Sequence, residues 1–225
     1  MAKRTPKQLN LPATAGWGGT RTGSGRKRRA PTSGPSHGSR ADHDSRHPVH
    51  VTLRAHSTVP SLRAEPTFSV LKRALGASNR LPFRVIHFSV QLDHVHLIVE
   101  ADRQIALIRG LQGLAIRCAR AINRITRHRG PVWCHRYYKH ELGTPREVRQ
   151  AMTYVLLNFR KHLRAAPAVD PRSSGVWFEH WQHAFTPSVW PRLVATPHTW
   201  LGAIGWRRAG GALDVSEMPS RRPRR

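Results

Sequence analysis

The chain of 225 residues holds 38 Lys and Arg against 12 Asp and Glu, giving a formal net charge of +26 and a pI near 11.9. That excess excludes a neutral metabolic enzyme and points to a polyanionic partner, nucleic acid first and a membrane surface second. The length allows one ordinary domain plus tails. No apolar run approaches a bilayer-spanning helix, and two cysteines, Cys118 and Cys134, in no CxxC spacing support neither a zinc knuckle nor a disulfide framework.

Residues 1–46 are rich in Gly, Ser, Pro, Lys and Arg and read as a disordered basic arm, because they cannot bury enough apolar surface to offset their ordering entropy. The cluster Arg26, Lys27, Arg28 and Arg29 at its centre offers sequence-independent phosphate contacts. With basic residues but no apolar segment behind them, this N-terminus carries no secretory signal, so the expected location is the cytoplasm, in association with the nucleoid.

Order is expected from residue 47. His50–Arg54 alternates like a strand, and Ser61 opens a helical pattern that runs to about Leu75, with Phe68, Leu71 and Leu75 on one face. Phe83–Val90 reads as a second strand, and Leu92–Glu100 follows so closely that a hairpin turn falls near Gln91–Asp93. Within that third strand His94 and His96 are two residues apart. Side chains alternate along a strand, so both imidazoles point to one face, about 7 Å apart, while Val95, Leu97 and Val99 point to the other. Two imidazoles so placed can share one divalent ion, although a chance HxH pair is also expected in a histidine-rich chain.

Gln104–Arg129 reads as a helix with a stripe of Ile108, Leu111, Ala115, Cys118, Ile122 and Ile125. Off that stripe lie Arg109, Arg117, Arg120, Arg124 and Arg127, an outer face suited to nucleic acid. After Gly130-Pro131, Val132–His140 reads as a fourth strand. Thr144-Pro145-Arg146-Glu147 then announces a helix to about Leu163, with a capping box and Pro at the first position. The order is β-α-β-β-α-β, the ferredoxin-like α+β arrangement of an antiparallel sheet, with an additional C-terminal helix and basic disordered tails.

That last helix carries Val148, Met152, Val155 and Phe159 as its apolar stripe, with Tyr154 to one side and Asn158 one turn further on. Such a tyrosine is commonly a packing residue. Here an amide oxygen at Asn158 can complete a metal site begun by two histidines, with the phenol beside it. Asp170–Gly175 reads as a turn-rich linker. Trp177, Trp181, Trp190, Trp200 and Trp206 follow, interleaved with Arg192, Arg207 and Arg208, rings that either stack on unpaired bases or pack the tail onto the domain. Residues from Ser216 read as a second basic tail. The expected divisions are 1–46, 47–165 and 166–225.

His94-Val95-His96 resembles the His-hydrophobic-His motif of HUH single-strand endonucleases. Tyr154-Val155-Leu156-Leu157-Asn158 resembles the Tyr-x-x-x-Asn helix of single-tyrosine transposases of the insertion-sequence 200 type, particularly the REP-associated tyrosine transposases. The resemblance spans about His47–His162. It implies cleavage and rejoining of single-stranded or hairpin DNA through a 5′-phosphotyrosine on Tyr154, with His94 and His96 in the catalytic centre. It also implies a homodimer and a Mg²⁺ or Mn²⁺ ion held by His94, His96 and Asn158. One departure is Phe159, where many relatives carry proline. Two other readings remain open: a catalytically silent relative that only binds structured DNA, and an RRM-like RNA-binding module with the same element order. Against the latter, the central strand carries histidines where an RRM needs aromatic residues. A two-histidine phosphoesterase is disfavoured by Leu97, where that motif needs Ser or Thr.

Overall fold

The computed structural model describes residues 42–161, 168–183 and 191–219. Four strands form one antiparallel sheet: β1 (Val49–Arg54), β2 (Phe83–Val90), β3 (His94–Ala101) and β4 (Tyr138–Glu141), in the spatial order β2-β3-β1-β4. With the helices α1 (Thr67–Gly76), α2 (Gln104–Thr126) and α3 (Pro145–Leu157), this is the ferredoxin-like α+β arrangement followed by an extra helix. The strand carrying the two histidines is an inner one.

The sheet is buried on both faces. On one, Val49, Val51, Leu53, Val95, Leu97 and Val99 pack beneath α1 and α2, which contribute Phe68, Leu71, Leu75, Leu107, Leu111, Leu114 and Ile122. On the other, Ile86 and Ile98 meet Val148, Met152, Val155 and Phe159 of α3 and its continuation, together with Trp181, Leu201, Trp206 and Leu213 from further along the chain. Cross-strand partners share a face, and the register Thr52 opposite His96 therefore sends both toward α3. A register shift between Val85 and His87 inserts Ile86 as an extra residue on β2, which keeps His87 and Ser89 on that same side.

Several sequence expectations change. The first helix begins at Thr67 rather than Ser61, because Glu65 precedes Pro66 and the residue before a proline is biased away from helical dihedrals. α2 ends at Thr126, with Arg127 left-handed at φ 52°, so Arg127 caps the helix and does not extend its outer face. Its buried stripe runs through Leu107 and Leu114, leaving Ile108 exposed. Of the expected fourth strand only Tyr138–Glu141 is a ladder; the stretch before it meets the end of β1 through a single bridge, Trp133 opposite Ala55, while Trp133 Nε1 donates to the Ala115 carbonyl of α2. α3 closes at Leu157 and passes into a 3-10 turn over Asn158–Lys161, while its capping box, Thr144 with Glu147, forms as the sequence predicts.

The tail boundaries move too. His43, inside the expected disordered arm, is buried. Its Nδ1 donates to Glu141 and its Nε2 to the Ala101 carbonyl, both at 2.9 Å. Burial opposes charging this ring, but those two acceptors outweigh it and raise its pKa. Asp170–Gly175 is no linker: the Asp170 carboxylate is fully buried against the Arg63 guanidinium at 2.7 and 2.8 Å, and Ser173 pairs with Ser89 of β2. In the expected second tail, Glu217 is clamped by Arg149 at 2.7 Å. Arg26, Lys27, Arg28, Arg29 and Trp190 lie outside the described residues.

His87 gives the fold a pH signature. Fully buried beside Ser174 and Phe178, it is held neutral by desolvation, with a pKa of about 3. The unfolded ring binds a proton near pH 6.5 and the folded ring does not, so stability is complete above 6.5 and falls as pH drops toward 3. The slope approaches about 1.4 kcal/mol per pH unit for one such group. His87→Gln should flatten the dependence of Tm on pH between 6.5 and 4; an unchanged slope would place the acid sensitivity elsewhere.

Candidate functional site

Alternation on β3 and the docking of α3 bring four residues together on the α3 side of the sheet. The rings of His94 and His96 lie 4.7 Å apart, edge to face. The Tyr154 ring stands 4.9 Å from His96, also edge to face. The fourth member is His50 of β1, whose ring stacks on His96 at 5.4 Å and approaches Tyr154 at 5.8 Å. Sequence reasoning passed over His50. Its signal was present in the alternation His50-Val51-Thr52, which puts His50 and Thr52 on one face, but pairing with β3 is what carries that face to His96.

The two histidines of the motif are held differently. His94 Nδ1 donates to its neighbour Asp93 at 2.7 Å, and that hydrogen bond keeps the Asp93 carboxyl below its usual range. His96, 4 % exposed, has Nδ1 within 3.2 Å of Thr52 Oγ1 and 3.3 Å of His50 Nε2. With the proton on Nδ1, donated to Thr52 or His50, Nε2 is the nitrogen His96 presents for ligation, the second-shell arrangement usual around protein-bound cations. The donor set thus suits a divalent cation. Among the described residues no group of three or more His, Cys, Asp or Glu forms a metal cage, so a third ligand from these residues would be an amide, hydroxyl or carbonyl oxygen.

Asn158 is the amide expected there. It sits at the C-terminal end of α3, 2 % exposed, one turn or about 6 Å beyond Tyr154 along the axis. An ordinary exposed helix asparagine is thereby excluded. Tyr138 on β4 is 44 % exposed and faces the same side of the sheet, but β1 separates it from His96, a distance of two strand spacings or about 10 Å.

The arginines of α2 are not part of this cluster. Because α2 buries its stripe beneath Val95, Leu97 and Val99, exposed Arg109, Arg120 and Arg124 lie across the sheet from His94 and His96. Arg117 is half-buried and donates to Ser78 Oγ at 2.7 Å in the seam between α1 and α2. Trp181 and Trp206 are buried in the core and unavailable for base stacking, whereas Trp200 is 46 % exposed. Cys118 and Cys134 are both free. Burial pushes the Cys118 thiol up to about 12.

The family model described as transposase, IS200 like, matches residues 45–157, half of the chain and the whole span from β1 through α3. The chain belongs to the IS200-like transposase family. Among solved structures, that of a REP-associated tyrosine transposase bound to a REP hairpin is similar in fold. It has a TM-score of 0.52 and 16% sequence identity, over 62% of this chain and 82% of that one. No curated protein matches the sequence. The matched span of this IS200-like transposase ends at Leu157, so the segments beyond it that pack against α3 lie outside the shared model.

Proposed function

We propose that the chain is a metal-dependent single-strand DNA endonuclease and strand transferase, with Tyr154 as nucleophile and His94, His96 and Asn158 as ligands of Mg²⁺ or Mn²⁺. The observation that carries this reading is the meeting of Tyr154 with His96 and His94, residues from elements nearly sixty positions apart in sequence, on one side of an inner strand. A catalytically silent DNA binder would not require that convergence, and an RRM-like surface is disfavoured because α3 covers the face an RNA would use.

Phosphodiester cleavage requires an oxygen nucleophile in line with the leaving oxygen and positive charge on the non-bridging oxygens. Two neutral imidazoles and an amide oxygen leave coordination positions open, and a mixed nitrogen and oxygen set suits Mg²⁺ or Mn²⁺ better than a closed zinc site. The cation, when bound, neutralises charge developing on the phosphate. This chain's residues do the rest: His94 and His96 orient, through Asp93, Thr52 and His50, and the Tyr154 oxygen displaces the 3′-oxygen of the strand. The 5′-phosphate is then linked to the tyrosine; the phenolic proton passes to solvent or a neighbouring base, and the leaving 3′-oxygen takes up a proton from solvent to depart as the 3′-hydroxyl. The phosphotyrosine keeps the bond energy for rejoining. Arg109, Arg117, Arg120, Arg124 and Arg127, with Arg26, Lys27, Arg28 and Arg29, supply phosphate contacts for duplex parts of a hairpin, and the family resemblance extends the proposal to a homodimer. Among the described residues no helix is long and apolar enough to cross a membrane.

The test is incubation of the full chain with end-labelled, hairpin-containing single-stranded DNA and Mn²⁺, followed by a denaturing gel. A covalent protein–DNA band is expected, abolished by chelation. Blunt duplex should be bound, with affinity falling steeply as salt rises, and left intact. Efficient cutting of blunt duplex would overturn the single-strand assignment.

A further inference from the structure

A cleft of about 660 Å³ opens at the far end of the histidine-bearing face, where the N-terminus of α3 meets the segment leading into α4 (Trp200–Ala203). Its walls include Arg46, His47, Arg84, Asp102, His198 and Trp200. The floor is built deliberately. Glu100, fully buried on β3, accepts from the backbone of His198 and Thr199 and from the Thr199 hydroxyl, at 2.7, 3.2 and 2.8 Å. Gly202 lies so close that a Cβ there would come within 2.6 Å of the Glu100 carboxylate. Those contacts fix the position of Trp200, which carries Arg208 over its ring at 4.9 Å yet remains nearly half exposed.

Two features decide what such a cleft can hold. Its cations are matched: Arg46 pairs with Asp44 at 2.6 Å, and Arg84 with Asp102 at 2.7 Å and Glu100 at 3.5 Å, so it is no net positive trap for a phosphate alone. What remains is an accessible indole and a half-exposed carboxylate at Asp102, beside an Arg84 guanidinium held by Asp102 and Glu100. A planar group with donors and acceptors on its edge matches the set, and the volume lies within the usual range of small-ligand sites.

Position narrows the ligand class. From His96 to Glu100 is four residues of strand, and from Tyr154 to Pro145 nine residues of helix; both give about 13 Å. A strand stacked at about 3.4 Å per nucleotide spans that in about four nucleotides, and an extended one in fewer. We propose that the cleft captures one unpaired nucleobase of the strand, within about four nucleotides of the phosphate at Tyr154, stacked on Trp200 with its edge toward Arg84 and Asp102. This rests on the reading of the chain as a single-strand DNA enzyme, and it assigns a binding role to residues beyond the matched family span.

The experiment uses the full chain in EDTA, so that neither cleavage nor metal affinity enters. Fluorescein-labelled dT15 carrying a single 5-iododeoxyuridine is irradiated in the complex and the attached peptide identified by mass spectrometry, while anisotropy gives affinities for dT15 and for a 15-base-pair duplex at one salt concentration. The expected attachment is to Trp200. Trp200→Ala should weaken dT15 binding about 5- to 150-fold and leave duplex binding unchanged, with Trp200→Phe retaining most of the affinity. Attachment elsewhere, or wild-type dT15 affinity in Trp200→Ala, would overturn the proposal. Should Trp200→Ala fail to fold, the wild-type attachment site decides. Loss of the covalent band in the cleavage assay would not alter this outcome, so the two readings fail separately.

Discussion

His96→Ala should reduce Mn²⁺-dependent cleavage to background while DNA binding in chelator persists, and His94→Ala should do the same. The two differ in what else they remove. His94 is half-buried on the rim, bonded to Asp93, so its loss costs little beyond the ligand. His96 is buried among His50, Thr52 and Tyr154, and its truncation also leaves a void and frees the Thr52 hydroxyl, at a cost of about 1–3 kcal/mol. Asn158→Ala is the sharper comparison. Because that side chain is buried, alanine should lower Tm by a few degrees, yet the protein remains folded and loses Mn²⁺ affinity in a calorimetric titration. Asn158→Asp, which keeps an oxygen at the same reach, should retain metal and shift the preference among divalent ions. Full Mn²⁺ affinity in Asn158→Ala would leave only the two histidines as ligands.

Asp170→Ala should be among the most destabilising single changes in the chain. Its carboxylate is fully buried, accepts two bonds from Arg63, and also receives the Arg172 amide at 2.9 Å. Removing it strands the guanidinium, which keeps only the Val90 carbonyl, and breaking a buried pair in this way costs about 3–5 kcal/mol. At about 2–4 °C per kcal/mol for a domain of this size, Tm should fall by roughly 6–20 °C. Adding Arg63→Met should recover part of the loss, since the stranded charge is gone. A fall of less than about 2 °C would mean that Asp170 lies in a surface turn, as its Pro- and Ser-rich neighbourhood suggests from sequence alone.

The fold was legible where periodicity and chain punctuation agreed. Val95, Leu97 and Val99 against His94 and His96 announced both faces of β3, and Thr144-Pro145-Glu147 announced the start of α3. Those same signals located Tyr154 and the two histidines. What stayed hidden depended on pairing. His50 enters the site through the β1–β3 register, which no local pattern encodes. Asp170-Pro171-Arg172-Ser173-Ser174-Gly175 has the composition of a loop, and only its distant partner Arg63 makes it structural. Trp181 and Trp206 look like Trp200 in sequence, yet the first two fill the core beside α3 and the third faces the cleft. The basic stripe of α2 was visible, but the side of the sheet it occupies was not, because a helix pattern names its own apolar face and not the strand face it meets.

The central claim is that Tyr154 attacks DNA beside a cation held by the strand histidines. Its most direct test is the covalent complex formed with hairpin-containing single-stranded DNA and Mn²⁺, digested with nuclease and protease and sequenced by mass spectrometry. The expected result is a nucleotide 5′-phosphate on Tyr154, with no complex from Tyr154→Phe, which keeps the ring and removes one oxygen. A nucleotide attached to Tyr137 or Tyr138, or strand cleavage by the Tyr154→Phe protein, would contradict it.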